Sequence, residues 1–419
     1  MIDGLKPVQR RILWTIYSSP IREHFTKTVK VAGMVMAYHP HGNASIEDAI
    51  SQMVQDFPFT NNYPLISGSG TFGDILDAKA IASPRYTEVK ISAFAKDIGL
   101  FESTPDIDYE SNYDETSKEP IYFVPKIPLI LLNSVRGIAT GFRSNIMSHK
   151  LSDVVDAMTQ ALKKKSIPPI SPWYKGFKGY QNYQKNEEGQ FFLNTGFGFS
   201  QENHQWFLTD APQGWNREKT ITYLDELMKE KEEIRNYLDL SKDRFKIQLI
   251  FKRGEKITQP KLQQLFNKVN KEMVEQNVIN SQGKLKKMST EEVIKEFCNI
   301  RKIHLIKRFQ RLAGVEKEKI DKLNELIRFI KEKWNQKVVS IKSKKMLEEN
   351  LKEHQFRHYE WLSEIPIYRL TAEEVNKCLK GIDEAKKKLK EFTMLCEKDR
   401  KLVEFIIEEI QMLKKWDHE

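Results

Sequence analysis

Arg85-Tyr86-Thr87-Glu88-Val89-Lys90-Ile91 is the stretch on which the reading of this chain turns. From Tyr86 onward it has the β-branched, alternating character of a half-buried strand. At its head a phenol stands beside a guanidinium. A tyrosine hydroxyl has a pKa of about 10, so as a nucleophile at neutral pH it needs a nearby cation, a base, or a metal acting on the reacting group. Arg85 supplies a fixed cation next door. These residues alone leave two readings open: a reactive tyrosine, or a strand residue whose neighbour is salt-bridged.

Upstream lies Gly68-Ser69-Gly70-Thr71-Phe72-Gly73, with Glu88 about twenty residues beyond. The spacing matches a dinucleotide fingerprint, which would make an NAD-linked oxidoreductase. No buried strand precedes it and no βαβ pattern follows, so a tight loop holding neighbouring side chains is the better reading. Further upstream, His39-Pro40-His41 offers two imidazoles without a cysteine or acidic cluster to complete a metal site. A helix is expected to begin near Asn43, with Ser45 and Asp48 spaced as a capping box. Imidazoles before a helix N-terminus suit a phosphate. Another helix should start at Pro7, with Val8, Ile12 and Ile16 on one face and Arg10 and Arg11 left for another partner.

Downstream the texture changes twice. Residues 126–285 keep aromatics, glycine and proline and add strand-like runs at Phe191-Phe192-Leu193 and from Phe245 to Phe251. Residues 286–419 are nearly free of glycine and proline and heavy in lysine and glutamate. There, Ile300, Ile303, Phe309, Leu312, Leu323, Ile327, Ile330 and Trp334 mark one long amphipathic helix, and Leu379 to Leu413 mark a second. Two such helices around the module from Tyr359 to Thr371 form either an antiparallel coiled-coil arm or a plain helical bundle.

Composition narrows the classes. With 419 residues, 40% of them hydrophobic, the chain has material for two to four cored domains and is not wholly disordered. No apolar run is long enough for a membrane span. The N-terminus lacks the layout of a secretory signal. Cys298, Cys378 and Cys396 are too sparse for a disulfide framework, which fits a reducing compartment. A net charge of +10 is compatible with a polyanionic partner. No P-loop pattern occurs, so ATP hydrolysis through that motif is not expected.

In order, Asp3 to Arg11, Tyr38-His39-Pro40-His41-Gly42, Gly68 to Gly73, Arg85-Tyr86-Thr87-Glu88, Lys126-Ile127-Pro128, Leu131-Leu132-Asn133 and Gly137 to Gly141 form a series. It resembles the DNA breakage–reunion subunit of type IIA DNA topoisomerases, as in gyrase A and topoisomerase IV A. In length and plain C-terminal end the chain is similar to the medium subunit of T-even-type phage topoisomerases. The resemblance is sharp over residues 1–150, looser over 150–285, and returns as architecture from 286 on.

That resemblance implies a multidomain α+β fold. Residues 1–125 would form a winged-helix DNA-cleavage domain, 126–285 an α/β tower, and 286–419 a long antiparallel coiled coil with a helical dimer gate at about 345–380. Tyr86 matches the nucleophile that forms a 5′-phosphotyrosyl bond, and Arg85 its transition-state partner. Arg10, Lys27, Lys30, His39 and His41 match DNA-backbone contacts, and Ile146 the wedge that bends the duplex between base steps. The expected partners are double-stranded DNA, a second copy of the chain, and an ATPase subunit that holds both ATP and Mg²⁺. No metal site is expected in this chain. The cytoplasm is the expected compartment, in a bacterium or a phage-infected host.

Departures from the family pattern add expectations. The chain starts later than the family does, which bears on partner docking. Gln9 replaces a histidine, and Ala44 stands at the position of a serine that assists quinolone binding, while Asp48 keeps the acidic one. The end at Trp416 to Glu419, without a DNA-wrapping β-pinwheel, implies relaxation and decatenation rather than supercoiling. The alternative function is a non-catalytic winged-helix and coiled-coil DNA scaffold, which leaves the Arg85-Tyr86 pair unexplained.

Overall fold

The computed structural model describes residues 1–417. They fold as two compact units: Met1–Arg301 together with the residues from Ile406 on, and Lys302–Phe405. The fold is mixed α and β.

In the first unit, α1 (Pro7–Ser18) begins with Pro7 in its first turn and buries Ile12, Leu13 and Ile16. A proline there costs no helical hydrogen bond, because the first N–H groups have no intrahelical acceptor. The short strand β1 (Thr26–Lys27) leads into α2 (Thr28–Val35), and α3 (Asn43–Val54) follows. Strands β2 (Ile66–Ser69) and β3 (Glu88–Ile91) complete an antiparallel sheet of order β1-β3-β2. Val31, Ala32, Val35, Ile46, Ile50, Val89 and Ile91 join the α1 residues in the buried set.

The start of α3 differs from expectation. Its N-cap is Gly42 at φ +87°, and no side chain caps it. Ser45 lies inside the helix and its hydroxyl donates back to the Gly42 carbonyl at 3.1 Å. The capping box is therefore absent: the turn from His39 delivers a glycine to the cap position, and a left-handed backbone there favours glycine.

Next come α4 (Ala93–Asp97) and two hairpins, β4 (Tyr109–Ser111) with β5 (Lys118–Pro120) and β6 (Val135–Ala139) with β7 (Phe142–Ile146). Helix α5 (Leu151–Leu162) precedes a larger β region containing β8 (Gln181–Lys185), β9 (Phe191–Thr195), β10 (Gly198–Glu202) and β11 (Gln205–Asp210). It continues through α6 (Arg217–Glu230), β12 (Ile234–Asp239), β13 (Ile247–Phe251), α7 (Gln259–Leu265) and β14 (Asn270–Met273). One sheet runs β10-β11-β13-β12 and another β14-β9-β8. Leu208, Leu224, Ile247, Leu249 and Leu262 share one core, so α6 and α7 cover the first sheet. The hairpin β15 (Asn277–Ile279) and β16 (Leu285–Lys287) closes the region.

Helix α8 (Thr290–Lys331) then runs for 42 residues. Within the second unit it lies antiparallel to α12 (Ala372–Glu397), after α9 (Trp334–Lys337), α10 (Lys344–Glu353) and α11 (Tyr359–Ser363). The Cys396 thiol donates to the Ile306 carbonyl, and Phe309 stacks on Phe392 at 5.8 Å. Leu323 packs against Gly381, so partner numbers fall on one helix as they rise on the other. Leu326, Phe329, Trp334, Leu351, Phe356, Cys378 and Ile382 form the core of this unit.

Both amphipathic patterns run past a helix end. Lys333, at φ +59°, turns the chain left-handed, so Trp334 falls outside α8. The second segment breaks at Lys398, extended at φ −111° and ψ 95°, between α12 and α13 (Asp399–Gln411). Ile303 and Leu379 belong to the apolar stripes yet are 69% and 49% exposed.

Candidate functional site

Tyr86 projects from a turn immediately before β3. Its N–H donates to the Ser83 carbonyl at 2.8 Å, and its side chain is 65% exposed. The Arg85 guanidinium lies 4.8 Å from the centre of the Tyr86 ring. An exposed ring of this size needs a reason, and here a cation over its face supplies some stabilisation.

The turn is anchored from below. The N–H groups of Thr28 and Val29, at the start of α2, donate to the carbonyls of Thr87 and Pro84 at 3.0 and 3.2 Å. These are helix N-terminal donors without intrahelical acceptors, so the tyrosine turn supplies what α2 lacks. The Thr28 and Thr87 hydroxyls meet at 2.8 Å, both buried. The glycine loop lies against the same turn. Gly70 sits at φ +103°, and a Cβ added there would come within 3.2 Å of Thr87 Cγ2.

The basic residues around this turn differ in their freedom. Lys27 pairs with Glu88 at 3.0 Å, across the β1–β3 register. Lys30 is exposed on α2 and has no ion-pair partner among the described residues. Helix α2 connects the tyrosine turn at its start to the histidines after its end, where the His39 N–H donates to the Val35 carbonyl at 2.9 Å. Eight helical residues separate these two points by about 12 Å along the axis.

His39 and His41 pack edge to face at 4.5 Å. Arg11 Nη1 lies 3.0 Å from His39 Nδ1, while Arg11 Nε and Nη2 grip the Glu119 carboxylate at 2.7 and 2.8 Å. Burial lowers the His39 pKa, and the His41 ring and the Arg11 charge lower it further. The arginine expected to bind phosphate is differently placed. Arg10 Nε and Nη2 bind the buried Asp3 carboxylate at 2.7 and 2.9 Å, and Nη2 also donates to the Leu5 carbonyl. Asp3 further accepts the N–H groups of Leu5 and Phe123. Arg10 thus closes the loop before α1, and Arg11 is the arginine that reaches the histidines. Neighbours in a helix point about 100° apart, so this choice depends on what surrounds α1.

The wedge expectation also needs correction. Ile146 is 2% exposed, at the base of the β6–β7 hairpin opposite Val135. Buried there, it cannot enter a base step. On the same hairpin Ile138 is 95% exposed, next to the Thr140-Gly141 turn. The flanking arginines are tied down: Arg136 pairs with Glu272 at 2.7 Å and Arg143 with Glu275. The signal for Ile138 was present in Gly137 to Gly141, a short motif with one large apolar side chain among small residues.

Among the described residues, no three His, Cys, Asp or Glu side chains gather as a metal-ligand set. Among the same residues, no helix is long and apolar enough to cross a membrane.

Comparison with known proteins gives this geometry its class. The family model for the A-type chain of DNA gyrase/topoisomerase IV matches residues 1–411. The gyrase A protein of Thermotoga maritima is 42% identical over 159 residues, covering 37% of this chain and 19% of that protein. The gyrase A protein of Buchnera aphidicola is 27% identical over 97% of this chain and 54% of its own length. The crystal structure of the Plasmodium falciparum topoisomerase II DNA-binding, cleavage and re-ligation domain superposes with a TM-score of 0.81 at 25% identity. It covers 99% of this chain and 61% of that one. The chain belongs to the family of DNA gyrase/topoisomerase IV A-type chains. It spans about a fifth to about half of the length of the curated relatives it matches.

Proposed function

We propose that this chain is the DNA-breaking and rejoining subunit of a type II DNA topoisomerase, with Tyr86 as its nucleophile. The carrying observation is the exposed Tyr86 beside Arg85, on a turn pinned by Thr28 and Val29. The Tyr86 Oη attacks a backbone phosphorus in line with the 3′ oxygen. The new O–P bond forms as the P–O3′ bond breaks. The phenol gives up its proton, and the leaving 3′ oxygen gains one. Rejoining reverses each step and consumes no ATP, because one phosphodiester replaces another. Arg85 offsets charge on the equatorial phosphate oxygens as the transition state forms.

Around this centre, Lys27, Lys30, His39 and His41 would hold the phosphate backbone, since such contacts fix register without reading sequence. Ile138 would enter a base step and bend the duplex. Residues 1–125 would act as the winged-helix domain, 126–285 as the tower, and 286–419 as the coiled coil with a dimer gate near 345–380. Two copies would pair through that gate. A partner subunit would bind ATP and the Mg²⁺ that assists charge neutralisation.

The test is covalent trapping. The chain is mixed with an ATPase and metal-binding partner subunit, Mg²⁺ and end-labelled duplex, then denatured. Wild type should carry protein on 5′ ends, and Tyr86→Phe should not. DNA binding without an adduct in wild type would overturn the reading in favour of a DNA scaffold.

A further inference from the structure

We propose that the Arg11–Glu119 pair is a positioning device: it holds His39 as the neutral Nε2–H tautomer, so that His39 meets a DNA phosphate as a hydrogen-bond donor and not as a cation. The DNA half of this statement rests on the function proposed above; the tautomer half does not.

The argument starts from donor and acceptor counts. A guanidinium has five N–H donors and no acceptor, and it stays charged at any pH the protein survives. Its Nη1 lies 3.0 Å from His39 Nδ1. At that distance an N–H on each atom would place two protons face to face. Nδ1 must therefore be the acceptor, and the ring proton sits on Nε2.

The arginine is not free to turn away. Its Nε and Nη2 make parallel bonds to both oxygens of Glu119, at 2.7 and 2.8 Å. That planar fork fixes the direction of Nη1. The Glu119 side chain is only 6% exposed, so water competes little for the pair. The hairpin that carries Glu119 also fixes the backbone before His39, because Asn112 Nδ2 donates to the Ala37 carbonyl at 2.8 Å. One hairpin thus governs both the approach of the loop and the arginine that meets its ring.

The charged and titratable neighbours act together. Desolvation, the His41 ring and Arg11 disfavour a protonated His39, and Glu119 alone favours it. An unperturbed histidine changes charge near pH 6.5, inside the working range of most cells. Held neutral, His39 would grip phosphate with the same strength across that range. His39 is partly exposed, so the ring remains within reach of a ligand.

The test is nitrogen NMR of the full chain labelled at histidine, with His39 assigned through His39→Gln. In wild type at pH 7, Nδ1 should show the shift of an unprotonated nitrogen and Nε2 that of a protonated one, with a titration midpoint below 6.5. A protonated Nδ1, or a midpoint at or above 6.5, would overturn the proposal. The paired variant Arg11→Met/Glu119→Gln leaves no charge unpaired. Its midpoint should rise, its tautomers should mix, and it should bind duplex DNA several-fold more tightly at pH 6 than at pH 8, with wild type flatter. An unchanged tautomer in that variant also counts against the device. If it fails to fold, the wild-type spectrum still decides. Should the tautomer be as stated while His39→Gln leaves DNA affinity unchanged, the phosphate role is wrong and the positioning of the ring stands.

Discussion

Ile138 and Ile146 occupy the two strands of one hairpin, yet the first is 95% exposed and the second 2%. The difference separates two jobs. Replacing Ile146 with alanine empties a buried site and should cost about 2–5 kcal/mol of stability. Replacing Ile138 with alanine should leave the denaturation midpoint near wild type. If Ile138 is the wedge, that variant should also bend DNA less, read as lower energy transfer between dyes at the two duplex ends. Equal bending in wild type and Ile138→Ala would remove the wedge from this residue.

Arg85 lies over the Tyr86 ring, 4.8 Å from its centre. Removing one donor to a developing anion typically slows a reaction by about 10²–10³-fold. Arg85→Ala should slow single-turnover adduct formation by that order, and Arg85→Lys by less. DNA affinity should fall far less than the rate, because the interaction strengthens as charge develops. A parallel loss of affinity and rate would instead make Arg85 a simple backbone contact.

Arg301 is 1% exposed and donates to the Val124 carbonyl at 3.1 Å and to Glu409 at 3.0 Å. A buried ion pair is weak evidence of net stability, but removing one member of such a pair is costly. Glu409→Gln should therefore lower stability by about 3–5 kcal/mol. Urea denaturation would show the shift. A midpoint within error of wild type would mean that water or another group replaces Glu409.

His149 is buried, and burial pushes its pKa down to about 4 despite hydrogen bonds to the carbonyls of Leu131 and Met147. The unfolded chain has a histidine near 6.5. Between those values the unfolded state binds the extra proton, so stability rises with pH there and is lost as pH falls from about 6.5 towards about 4. The full effect is about 3 kcal/mol. Comparing wild type with His149→Gln at pH 7 and pH 5 would isolate it. The variant should lose less stability on acidification. An equal loss in both proteins would assign the acid sensitivity to other groups.

Much of this was legible in the chain itself because its causes are local. Pro7 and the apolar spacing behind it fix the start and inner face of α1. The near absence of glycine and proline past residue 286 leaves helix as the low-energy choice, and α8 and α12 follow. The Arg85-Tyr86 pair is adjacent in sequence, so its proximity needed no folding.

What sequence left undecided depends on contacts from afar. Whether Arg10 or Arg11 meets the histidines was set by Asp3 claiming one and Glu119, 108 residues away, claiming the other. Whether Ile138 or Ile146 faces solvent was set by what packs at each end of the hairpin. The breaks at Lys333 and Lys398 interrupt good helix formers, so no residue preference announced them. Local sequence determined which elements form and where the Arg85-Tyr86 pair lies. Tertiary structure alone decided which charges are bound internally and which apolar side chain is left outside, since burial and ion pairing are properties of neighbours brought together by the fold.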